Sequence, residues 1–191
     1  MINKIWIKNI CALAMGLLIS CYLGINLSQA SEKHEKEHDH EKRQLESHEH
    51  GVSTLKIALE GQTLEMELES PASDIVGFEH APENKNQKKA IAKALSLLKS
   101  KSGIFKTPLT ANCKIEVVSG KFEVEKDHAG FHVTWKFKCL NPKEIKNLET
   151  TFFQKFPKAE EIEVEIISAS GQKAIEWEND TKKIKLPTLS K

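Results

Sequence analysis

Phe131-His132-Val133-Thr134-Trp135-Lys136-Phe137-Lys138-Cys139 alternates apolar and polar side chains without a break. In an extended chain, successive side chains point to opposite faces. Phe131, Val133, Trp135, Phe137 and Cys139 therefore line one face, and His132, Thr134, Lys136 and Lys138 line the other. The stretch is a half-buried strand, and it requires a sheet with one covered face. The same period recurs on both sides of it. Leu55, Ile57 and Leu59 alternate with polar residues, as do Leu64, Met66 and Leu68, with Glu60-Gly61-Gln62 between them. Residues 52–69 therefore read as a β-hairpin, which Ser70-Pro71 ends. Cys113, Ile115 and Val117 share a face, and Ser119-Gly120 is read as a turn into Phe122 and Val124. Ile162, Val164 and Ile166 make a further strand, followed by turns at Ser170-Gly171 and Asn179-Asp180 in a C-terminal meander.

Helical signals are fewer. Asn84 caps a helix running to about Lys101, with Ile91, Leu95 and Leu98 on one face and Gly103 as its terminator. Asn141-Pro142-Lys143-Glu144 combines a cap, a proline at the first position and a following glutamate, and so starts a short helix. A strand at 147–151 and the cluster Phe152, Phe153 and Phe156 follow. Residues 71–82 read as an ordered connection. The fold class expected for 51–191 is a single α+β domain: a small, mostly antiparallel sheet with one long and one or two short helices.

The first thirty residues have the form of a secretory signal. Lys4 and Lys8 precede an apolar run from Cys11 to Ile25, and Ser28-Gln29-Ala30 supplies the small residues of a cleavage site after Ala30. A retained span is the alternative, but the run is short for one and polar residues follow it directly. Leu18-Ile19-Ser20-Cys21 also has the look of a lipoprotein signal, although the residues after Cys21 stay apolar. Removal of the signal leaves Cys113 and Cys139, both on core-facing positions of expected strands. In an oxidising compartment such a pair forms a disulfide, against the alternative of two buried thiols. Export thus places the chain in the periplasm. Lysine plus arginine (28) nearly cancel aspartate plus glutamate (27), so no basic excess steers the chain to nucleic acid.

Residues 31–50, SEKHEKEHDHEKRQLESHEH, hold one apolar side chain and five of the eight histidines. So polar a segment is expected to be a disordered arm. Its imidazoles and carboxylates, His34, His38 and His40 among them, are donors that suit zinc, nickel and copper. Sites made from the arm alone pay chain entropy and are weak. His34-Glu35-Lys36-Glu37-His38 matches the H-E-x-x-H pattern of zinc proteases, but that chemistry needs a packed helix, and this stretch has no apolar face. His48 and His50 abut the domain and can reach one metal. An uninterrupted strand would aim both away from the Leu55 face, unless Gly51 resets the alternation. His80, beside Glu79, and His128, before the Phe131 strand, read either as structural histidines or as ligands. His132, on the polar face, reads as a plain surface residue. No nucleophile motif or phosphate-cradling glycine loop is present.

His48-Glu49-His50-Gly51, Glu69-Ser70-Pro71-Ala72, Val76-Gly77-Phe78-Glu79-His80-Ala81-Pro82, His128-Ala129-Gly130-Phe131 and Phe156-Pro157 resemble the signature segments of the ZrgA-like periplasmic zinc-binding proteins. The similarity covers nearly all of residues 48–187. It implies export, a histidine-rich N-terminal stretch, Zn2+ as the bound ion and an accessory role in zinc uptake beside an ABC importer, and it implies no enzyme. On this resemblance, His50, His80 and His128 carry a domain-proximal metal site, completed by His48 or Glu79. Gly130 departs from the acidic residue expected after His-Ala. The competing readings are a periplasmic buffer or resistance protein for nickel, copper or zinc, and a zinc hydrolase, which would need a cleft with an open coordination position.

Overall fold

The computed structural model describes residues 50–100, 103–126 and 128–189; the expected signal segment with Cys21, and the arm up to residue 49, lie outside the described residues. The hairpin at 52–69 is present as β1 (Val52–Glu60) and β2 (Thr63–Pro71), joined at Gly61, whose positive φ suits the turn. Beyond β2, the connection contains a one-turn helix α1 (Ala72–Val76), ended by Gly77 in the left-handed conformation. The long helix α2 (Lys85–Leu98) starts as expected: the Asn84 side chain accepts from the Asn86 and Gln87 backbone N–H groups. It stops at Leu98, before Gly103 is reached.

The chain then makes β3 (Phe105–Lys106), the long strands β4 (Cys113–Glu125) and β5 (His128–Cys139), and β6 (Asn147–Thr150). A four-residue helix α3 (Phe152–Lys155) leads to β7 (Glu161–Ser168), β8 (Gly171–Glu178) and β9 (Lys183–Lys185). The expected helix after Pro142 is only a 3-10 turn, Pro142–Glu144.

The expectation of a small, mostly antiparallel sheet needs correction. The main sheet has six strands in the order β4-β5-β2-β1-β7-β8, and it is mixed because β1 and β7 run parallel. After the β4–β5 hairpin, the chain crosses beneath the sheet through β6 and α3 and returns to the free edge of β1, a route that delivers β7 in the same direction. A second sheet of three short strands, β3-β6-β9, joins the connection between α2 and β4 to this crossover and to the C-terminal segment.

One face of the main sheet carries the core. Its rows run across the strands: Val133, Leu68, Leu55 and Val164 are register partners, as are Trp135, Met66, Ile57 and Ile166. Ile91, Ala94 and Leu98 of α2 join this core, together with Phe105, Ile145, Leu148, Phe152 and Trp177. Phe105 meets Trp135 edge-on at 5.5 Å between ring centroids. Ser53 and Ser70 are buried among these residues and satisfy each other, Ser53 Oγ donating to Ser70 Oγ at 2.9 Å.

Two local readings of β4 are overturned. The pairing shifts between Ile115 and Val117, so Val118 takes the core-side place opposite Trp135 and Val117 is 55% exposed. Ser119-Gly120 makes no turn, and β4 runs through it. Gly120 leaves room for the Lys99 side chain, whose Cδ would lie 3.0 Å from any Cβ there.

The entry to β1 is held from two sides. The Gly51 N–H donates to Asp74 Oδ2 of α1 at 3.0 Å, and its carbonyl accepts from Glu160 N and Glu161 N at 2.8 and 3.0 Å. Gly51 has φ +87, and a Cβ there would press on the Glu160 side chain at 3.3 Å, so the position suits glycine alone. Burial raises the Asp74 carboxyl above its ordinary value, although the hydrogen bonds from Ser73 and Gly51 oppose the shift.

Cys113 and Cys139 are bonded, and they are direct register partners at the open end of the β4–β5 hairpin. Replacing both with serine is expected to cost about 3 kcal/mol of unfolding free energy in urea, and an unchanged midpoint would contradict this. Asp74→Ala strands the buried Gly51 N–H and is expected to cost about 1–3 kcal/mol. Asp74→Asn keeps an acceptor and costs less. Because the folded pKa is raised, ionised Asp74 opposes folding as pH rises through it; the Asn variant should lose that fall in stability in urea titrations at several pH values.

Candidate metal centre

β1 begins, β2 ends and β5 begins at one end of the main sheet, as the antiparallel pairings of β1 with β2 and of β2 with β5 require. His50 precedes β1, Glu79 lies in the connection after α1, and His128 opens β5. Three separate points of the sequence therefore meet at one rim. His50 Nε2 lies 2.9 Å from Glu79 Oε2. Gly51 takes the left-handed conformation just before β1, so the strand alternation does not carry through it to His50.

The hydrogen bond to Glu79, and then its charge, raise the His50 imidazole above its ordinary value. Glu79 is pushed up by burial, but the hydrogen bonds of His50 and Ser73 and the charges of His50 and His128 outweigh it and leave it lowered. This is an electrostatic neighbourhood of two imidazoles around one carboxylate, with buried Asp74 behind it. Neutral imidazole and carboxylate together are a donor set for zinc.

The other expected ligands are placed differently. His80 shares the connection with Glu79, but its Nδ1 is 2.8 Å from the Ala81 carbonyl and 3.9 Å from Glu83, and its ring packs at 5.1 Å on Phe78. Among the described residues it belongs to no preassembled group of three ligands. His34, His38, His40 and His48 lie outside the described residues. His128 faces Glu125 across the β4–β5 pairing and lines a cavity of about 230 Å³ with Glu69, Glu123, Glu125, Gly130 and His132.

His132, read from the sequence as a plain surface residue, lies on the polar face as expected but is half-buried and paired. Its Nε2 lies 2.5 Å from Glu67 Oε1, and Glu69 is its direct partner across β2–β5. One ligand atom from each of Glu67, Glu69 and His132 falls within 4.8 Å of the others. The alternation of Glu65, Glu67 and Glu69 along β2 was a signal for a row of carboxylates on one face. That His132 stands against this row is a matter of register, which the alternation does not contain.

No helix among the described residues is long and apolar enough to cross a membrane. No curated protein matches the chain. The model of the ZrgA family, described as a zinc uptake protein rather than as an enzyme, matches residues 47–186. That span begins just before His50 and takes in both strands that bear Glu67, Glu69 and His132, and the chain belongs to the ZrgA family of zinc uptake proteins.

Proposed function

We propose that this chain is a periplasmic zinc-binding protein whose histidine-rich segment 31–50 gathers zinc and whose sheet rim, at His50, Glu79 and His128, holds it for uptake by an ABC importer. The observation that carries this reading is the His50–Glu79 pair, which ties the last histidine of that segment to the folded domain. His128 is the nearest further imidazole in electrostatic terms, and His48, two residues before His50, completes the set. The bonded cysteines agree with an oxidising compartment. Zinc is cargo here, and ligands at an exposed rim suit a metal that must be given up again.

Zinc titration of the chain, of a variant lacking residues 31–47, and of His50→Ala tests the division of labour. The deletion is expected to lower the stoichiometry and leave the tightest site. His50→Ala is expected to weaken the tightest site by roughly tenfold to a hundredfold. A tightest site untouched by His50→Ala and by Glu79→Gln would refute the rim assignment.

Protons compete with zinc for His50, because only neutral imidazole binds metal. Glu79 favours the imidazolium, so zinc affinity at the rim should begin to fall above the ordinary histidine value of 6.5 as pH is lowered. Glu79→Gln removes that influence and should move the onset to lower pH, while weakening binding at high pH. Affinity measured from pH 8 to 5 checks the sign, and an onset that stays in place in the variant contradicts it.

A further inference from the structure

The outer face of the main sheet, opposite the core, holds a group that the rim site does not use. β2 and β5 each have strands on both sides, so their backbones are fixed by pairing. Glu67 and Glu69 project from one face of β2, and His132 from the same face of β5, opposite Glu69. The three side chains are partly shielded, with 39%, 33% and 30% exposure.

Neighbouring lysines compensate this group only in part. Lys136 pairs with Glu65 at 2.9 Å, and Lys121, the β4 partner of His132, pairs with Glu123 at 2.6 Å. Lys56 reaches Glu69 at 3.4 Å. Two carboxylates beside one ammonium leave net negative charge on fixed strands. A divalent cation is attracted to that charge and finds three donor atoms within 4.8 Å of one another.

The space beside the group completes the argument. His128, Gly130 and His132 lie on the same side of β5, and Gly130, which has no side chain, leaves the gap between the two imidazoles open. A side chain at Gly130 would also bring its Cβ to 3.2 Å from the Ser70 carbonyl. The glycine at this position therefore leaves open the cavity that borders Glu69 and His132.

We propose that Glu67, Glu69 and His132 form a second divalent-cation site, on the face of the sheet, with a coordination position open to this cavity. The proposal rests on the reading of the chain as a zinc-binding protein and adds a site to it. Three protein donors and one open position is an arrangement zinc adopts where its fourth ligand is exchangeable. Two hard carboxylate donors and one imidazole also accept Co2+, and they discriminate among borderline divalent ions less than a set richer in imidazole. Water fills the open position until a nitrogen or oxygen donor from another molecule displaces it. The rim and face sites are linked along β5, since His128 and His132 are four residues, or roughly 13 Å, apart.

The test follows the histidine ring nitrogens by NMR while Zn2+ is added to the full chain, then repeats the titration in His50→Ala, His132→Gln and Glu67→Gln/Glu69→Gln. Expected is a shift of the His132 ring that persists in His50→Ala, and a loss of at least tenfold in zinc affinity at the face site in the two face variants, with the His50 response kept. A His132 ring that does not respond to zinc while the His50 ring does would overturn the face site and leave the rim reading standing. If neither ring responds, both fail. Because the unmodified chain supplies the first readout, the outcome does not depend on any variant folding.

Discussion

The antiparallel pairing of β2 with β5 is the constraint on which the rest of the structure depends. Its register sets Met66 against Trp135 and Leu68 against Val133 on the core side, and by the same step sets Glu69 against His132 and Glu65 against Lys136 on the other. Side chains alternate with a period of two, so a slip by one residue would send three glutamates into the core and three large apolar groups into water. Burial of a row that includes Trp135 and Met66 thus fixes the positions of Glu67, Glu69 and His132, although none of these three contributes to the core.

The same pairing builds the rim. Where β2 ends at Pro71, α1 begins, and Asp74 in its first turn receives the Gly51 N–H at the start of β1. The Gly51 carbonyl meanwhile accepts from the entry of β7, so the last residue before β1 is set by one strand and a helix. His50 hangs from this anchored point and meets Glu79. The two sites therefore differ in kind. Face donors stand on central strands, whereas at the rim His50 and Glu79 stand on connections held by a few hydrogen bonds and His128 on the first residue of β5. In the proposed reading, the rim receives metal from the histidine-rich segment, and the face carries donors fixed on paired strands.

Much of this was legible in the sequence where the signal is local. The alternation of Phe131 to Cys139, the hairpin about Gly61 and the Asn84 cap each follow from neighbours in the chain, and each is present. The cysteine pair was legible because both residues fell on core-facing positions. The features missed were set by partners distant in sequence. Val117 is exposed because the bulge arises in pairing with β5. Gly120 is a strand residue because its pairing with Val133 of β5 carries β4 straight through it. The parallel β7 depends on the crossover, and periodicity says nothing of which edge a strand joins. His132 looked like any polar-face residue until β2 stood beside it. For the rim, sequence similarity supplied His50, His80 and His128 with His48 or Glu79 to complete them, and the structure supplied the contact of His50 with Glu79 while His80 turns to the Ala81 carbonyl and Phe78.

The central claim is that folded-domain residues, and not the histidine-rich segment alone, hold zinc. Anomalous diffraction at the zinc absorption edge, from crystals of the zinc-loaded chain, tests it most directly. The account predicts a zinc peak bound by His50 and Glu79 at the rim. Zinc found only on residues before His50, with the His50–Glu79 hydrogen bond intact beside it, would contradict the account.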